Sequence, residues 1–141
     1  MNYLVFLDPC AGELEKILSG VKNMVLKEFD LVQPPTHLVR PGDGLYFLRN
    51  KDGNTVRVKA TVVRVSCFIN GLDEDLPRTL KELQTRLQLT EIQYDYWSTK
   101  KQVLLVEFSD AQKIKEICVA PDKVTDQSDW ISFEDIGLIT E

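Results

Sequence analysis

The chain has 141 residues, 43% apolar and 28% charged, which suits one globular domain over 1–141 with a core that needs no disulfide or metal staple. No apolar run approaches the roughly 18–20 residues of a membrane-spanning helix, so no membrane partner is expected. The net charge of −5 argues against indiscriminate nucleic-acid binding, but residues 16–66 hold nine basic and four acidic residues, a local +5 against −10 elsewhere. Scattered surface lysines would give the same composition; a basic face on an acidic molecule is the alternative.

The opening MNYLVFLDPC reads as a buried first strand over 2–7. It lacks the basic start of a secretory signal and meets Asp8 early, so a cytoplasmic protein is expected. Asp8 and Pro9 supply an N-cap and a first-turn proline for a helix carrying Leu14, Ile17, Leu18 and Val21, and Gly20 supplies its left-handed stop. Lys22 follows that stop, where a strand over 23–29 begins. At such a junction a lysine is either solvated and favoured by the helix dipole, or it faces a pocket and pairs with a phosphate or polarised carbonyl. It becomes a nucleophile only where desolvation or a cationic neighbour lowers its pKa.

QPPTHLVRPGDG is a connection rich in proline and glycine. LYFLRN and TVRVKATVVRVSCFI are strands joined through KDGN, with Asp52-Gly53 as the hairpin signal. In the longer strand Val56, Val58, Ala60 and Val62 share one face, then the apolar residues move to Val63 and Val65. This reversal of phase predicts a β-bulge near Val62 and Val63, a device small barrels use to close. LPRTLKELQTRLQL is predicted as a helix with a capping box at Thr79 and Glu82 and a stripe of Leu80, Leu83 and Leu87. Tyr94, Tyr96 and Trp97, beside Lys100 and Lys101, either cover a core edge or offer a surface for stacking a base. QVLLVEF is a central strand, DAQKIKEICV a short helix capped by Asp110, and WISFEDIGLI a partly extended close.

Cys10, Cys67 and Cys118 share no short spacing, so neither a disulfide framework nor a zinc site is indicated, and no metal or cofactor is expected. The one histidine, His37, has no nucleophile elbow near it. A Rossmann arrangement fails for want of a G-x-G-x-x-G between strand and helix. A few short helices among five or six strands predict an α+β fold: a small, partly open β-barrel with short helices on its rim.

Three stretches, in order, resemble the ASCH domains of the PUA-like superfamily: the helix and G-x-K of EKILSGVKNMVLK, the P-G-D of VRPGDGLYF, and the hairpin YFLRNKDGNTVRVKATVVRV. They cover roughly the first half of the chain. The resemblance implies a PUA-like barrel with a ligand cleft beside it, similar to modules that bind RNA. Some small members of the family resemble amidohydrolases that deacetylate an acetylated cytidine, using the G-x-K lysine, a threonine three residues on and a glutamate after the hairpin. Lys22 matches the lysine, Val25 stands in place of the threonine, and Glu74 lies in the region of the glutamate.

The leading expectation is an RNA- or nucleotide-binding module whose ligand meets Lys22, Lys27, Arg40, Arg49, Arg57 and Lys59. The alternatives are a small amidohydrolase acting on an acylated nucleoside through Lys22 and Glu74, and a protein-interaction module.

Overall fold

The computed structural model describes residues 1–8, 11–28, 39–49, 53–69, 75–124 and 130–141. One long hairpin organises it: β4 (Thr55–Ile69) runs antiparallel to β5 (Gln102–Cys118) along most of their length. β3 (Gly44–Arg49) pairs antiparallel with β4, and β2 (Met24–Glu28) with the first part of β5. β1 (Asn2–Leu7) lies parallel to β3, and the short β6 (Ile131–Phe133) antiparallel to β1. The six strands form one mixed sheet in the order β2-β5-β4-β3-β1-β6, curled into a half-barrel. Its helices are short: α1 (Glu13–Leu18), α2 (Leu76–Glu82), α3 (Gln84–Leu87) and α4 (Glu91–Ser98). No described helix is long and apolar enough to cross a membrane.

The bulge predicted on β4 is present. Pairing shifts register between Val56 and Val58, between Lys59 and Thr61, and between Val62 and Arg64. At the last of these Val63 is the extra residue, 45% exposed, and Val65 beyond it packs against the same cluster as Val58, Ala60 and Val62. One inserted residue resets the two-residue side-chain period, so apolar residues of opposite sequence parity reach one core.

That core fills the concave side of the sheet, with Tyr3, Val5, Leu45, Phe47, Val58, Val62, Val106 and Phe108 closed by Leu14 and Ile17 of α1. A second cluster, built on Leu4, Tyr46, Leu48 and Val56, lies under Val124, Phe133 and Ile139 of the C-terminal segment. A third packs Met24, Leu26 and Leu105 against Leu76, Leu80 and Leu87 of α2 and α3.

Three elements differ from the sequence expectation. α1 starts at Glu13, with Gly12 and not Asp8 at its N-cap, in the left-handed conformation (φ +65°), and the Glu13 carboxylate accepting the Asp8 backbone N–H at 2.9 Å; Pro9 lies outside the described residues. α2 starts at Leu76, so Thr79 lies inside it and donates its hydroxyl back to the Asp75 carbonyl at 3.2 Å. The capping box belongs instead to α4, where Thr90 and Gln93 bond each other's backbone N–H. DAQKIKEICV is the second half of β5, not a helix. Its Val58–Lys113 and Val56–Ile117 pairings leave 114–116 unmatched, and along this distorted ladder every third residue is half-buried: Ala111 against the first cluster, Ile114 and Ile117 against the second.

Candidate functional site

Gly20 ends α1 in the left-handed conformation (φ +83°), and two residues later the Lys22 backbone N–H donates to the Lys16 carbonyl at 3.0 Å. The turn sends the Lys22 side chain inward, leaving it 1% exposed. Its ammonium donates to the carbonyl of Leu87, the last residue of α3, and lies 3.6 Å from the Glu13 carboxylate. Leu87 O is one of the carbonyls a helix end leaves without an intrahelical donor, and a cation there also meets the negative end of the helix dipole. Burial pushes the Lys22 pKa below the usual lysine value; Glu13 pulls it back up, and Lys16 lowers it further.

Beside this pair the chain locks α3 to the entrance of β2. The Asn23 N–H donates to the Arg86 carbonyl at 3.1 Å, and Arg86 Nε returns a bond to Asn23 Oδ1 at 3.1 Å. The Arg86 guanidinium also bonds Glu107, whose other oxygen lies 4.0 Å from Arg64. Glu74, the second predicted catalytic group, lies outside the described residues, as do His37, Cys10 and Asp52.

A different group of residues gathers where the two ends of the sheet approach each other. Lys27 is on β2, one edge of the sheet; Trp130 immediately precedes β6, the other edge. The Lys27 ammonium nevertheless lies 6.0 Å from the Trp130 ring centroid, bridging the open seam of the half-barrel. Trp130 in turn stands edge-on to Tyr3 of β1, centroids 6.1 Å apart. Burial raises the Tyr3 pKa, the Asp43 charge raises it further, and Arg40 opposes both, so Arg40 and Asp43 act at the same place. Tyr3 is buried, Trp130 and Lys27 half-buried and Arg40 exposed, which grades the seam from apolar depth to charged rim.

The predicted ligand-binding residues therefore divide. Lys27 stands over Trp130 and Arg40 acts on Tyr3, which touches Trp130, while Lys22 is buried against Glu13 and Leu87. Arg49 pairs with Glu15 of α1, and Arg57 donates to Glu116 at 2.9 Å. Lys59 sits 5.2 Å over the Tyr46 ring, which belongs to the cluster on the other side of the sheet. Tyr3, Trp130 and Glu13 were missed by the sequence expectation. The first two are ordinary core letters until the sheet curls, and Glu13 stands nine positions before its partner. Of the aromatics on α4, Tyr94 and Trp97 pack against the third cluster and Tyr96 is 52% exposed.

No protein-family model matches the chain, and no curated protein matches it. Solved structures do. The ASCH protein of Zymomonas mobilis superposes with a TM-score of 0.66 at 15% identity, covering 94% of this chain and 87% of that one. A single-residue mutant of the same protein superposes with a TM-score of 0.71 at 14% identity, covering 97% of this chain and 91% of that one. At such identity the likeness establishes the fold.

Proposed function

We propose that this chain, which carries the fold of the ASCH domains, is an RNA- or nucleotide-binding module that uses the seam of its half-barrel. The observation behind this reading is the approach of Lys27, on the edge strand β2, to Trp130, just before the other edge strand β6, with Tyr3 of β1 against Trp130 and the Arg40 charge acting on Tyr3. Trp130 offers an aromatic face for one unstacked base, Lys27 and Arg40 take the adjoining phosphates, and Asp43 and Tyr3 set the polarity of the floor. This divides the work as single-strand binders do: stacking supplies sequence-tolerant affinity and cations track the backbone. A cytoplasmic location goes with such a ligand.

The test is fluorescence anisotropy with a short labelled single-stranded RNA. A lost stack costs about 1–3 kcal/mol, so Trp130→Ala should weaken binding by roughly 5- to 150-fold. Arg57→Ala, on a residue paired with Glu116, should leave it unchanged. Equal affinity in wild type and Trp130→Ala would sink the seam as the binding site.

One observation favours the amidohydrolase alternative. Burial lowers the Lys22 pKa, which is the condition for an amine to serve as nucleophile or base, and Glu13 stands beside it. In this reading Lys22 is catalytic, Glu74 is the second group, and the substrate is an acylated nucleoside. Acetate release from an acetylated cytidine, lost in a folded Lys22→Arg, is the expected result; no release by the wild type refutes it.

A further inference from the structure

α4 has no buried residue. Glu91, Ile92, Asp95, Tyr96 and Thr99 are all exposed and share one face, at the spacing of successive helical turns. Ile92 is 81% exposed and Tyr96 52%, one turn apart. Tyr94 and Trp97, on the other side of the helix, already join it to the cluster under α2 and α3, so folding does not call on the outward pair.

Tyr96 is held in place all the same. Its ring stands edge-on to Trp97 at 5.2 Å and 88°, and the Lys100 ammonium lies 4.2 Å from its centroid. Lys100 is itself fixed 3.5 Å from Glu28. An exposed aromatic whose rotamer is already set loses little entropy on being covered, which is the property of an interface anchor.

Charge selects the occupant. Glu91 puts an acidic side chain at the N-terminal end of the exposed face, Asp95 lies at its middle, and Lys100 and Lys101 follow its C-terminal end. A second copy laid antiparallel sets the acidic end of each helix on the basic end of the other, twice over, and opposes the two helix dipoles. A parallel arrangement sets like on like. We propose that α4 is a two-fold self-association face, with Tyr96 of the two copies meeting near the axis, Ile92 flanking it, and Glu91 of each copy towards Lys101 of the other. The helix has eight residues, about 12 Å of length, so the contact falls at the small end of specific interfaces. The dimer is accordingly weak, with a dissociation constant on the order of 100 µM.

Sedimentation equilibrium of the full chain from ~10 µM to ~1 mM tests this, because such a range spans the expected constant. The weight-average mass should rise from one chain towards two. Ile92→Asp should stay monomeric throughout with unchanged melting temperature, and Tyr96→Asp should stay monomeric with a melting temperature lowered only by its lost contacts with Trp97 and Lys100. Lys101→Glu should weaken association several-fold, and Glu91→Lys with Lys101→Glu should restore it. A monomeric wild type at the highest concentration overturns the proposal, as does a dimer that Tyr96→Asp leaves intact or a double charge reversal that fails to recover. Loss of RNA binding in Tyr96→Asp, with the wild type monomeric, would mark the face as a nucleic-acid surface instead.

Discussion

Lys22 is under two opposing demands, and their balance can be measured. Its ammonium gave up water for a carboxylate and a carbonyl, and removing one partner of such a pair strands the other charge. Lys22→Met should therefore destabilise the fold by about 3–5 kcal/mol in chemical denaturation, while Glu13→Leu with Lys22→Met should recover most of that loss. The pH dependence has a definite sign. Burial depresses the folded-state pKa below the unfolded value, so between the two the unfolded chain binds more protons. The Lys22 contribution to stability therefore improves as pH rises from its folded pKa to about 10.4, and levels off beyond. The stability of wild type relative to Lys22→Met, followed across alkaline pH, should climb in that window; a falling difference would reverse the assignment. The glycine stop before Lys22 was legible because a left-handed C-terminus has a local chemical signature. Its burial was not, because α3 and Glu13 reach it only through tertiary packing.

Among the elements, β4 shows how a pattern fault in a sequence becomes structure. Val63 breaks the alternation and is the extra residue of the bulge that brings Val65 back to the core. Val63→Thr should change stability by no more than about 0.5 kcal/mol, as for other exposed positions away from special contacts. Deleting Val63 should cost several times that, because the ladder loses the bend of the bulge where the half-barrel curls, although Val65 would still alternate onto the core side opposite Val106. Comparing the two by urea denaturation separates a designed bulge from a tolerated irregularity; equal stabilities would favour the latter. β5 gives the opposite lesson. Its second half carries apolar residues at every third position because unmatched residues distort the ladder, and no periodicity count within one segment separates that from a helical turn. The cap at Thr90 was equally local, but the stronger-looking T-x-x-E at Thr79 drew the boundary to the wrong helix. Thr90→Ala should cost about 1 kcal/mol and Thr79→Ala less, since Thr90 accepts an orphan N–H at a helix start while Thr79 donates to a carbonyl inside its helix.

For the whole molecule, the described basic residues within 16–66 are divided between the two sides of the sheet and several acidic partners. Pleating sends alternate residues of a strand to opposite sides, and ion pairs with Glu15 and Glu116 engage Arg49 and Arg57. The half-barrel itself was legible from turn signals, strand order and the bulge. The seam was not, since it forms only when the two edge strands, β2 and β6, are brought near each other by closure. Lys27 and Arg40 are the cations assigned to the proposed ligand, on a chain of net charge −5. Two phosphates neutralised on a single strand should give a slope of about −1.4 in log K against log salt. Lys27→Ala should flatten that slope by about 0.7, because it removes one phosphate contact and its released counterions. Trp130→Ala should lower affinity at every salt concentration and leave the slope unchanged, since stacking releases no counterions. Lys59→Ala, on the opposite side of the sheet, should alter neither quantity. A titration series at four or five salt concentrations reads both effects at once. A slope that responds to Lys59 and not to Lys27 would move the ligand from the seam to the outer face of the barrel.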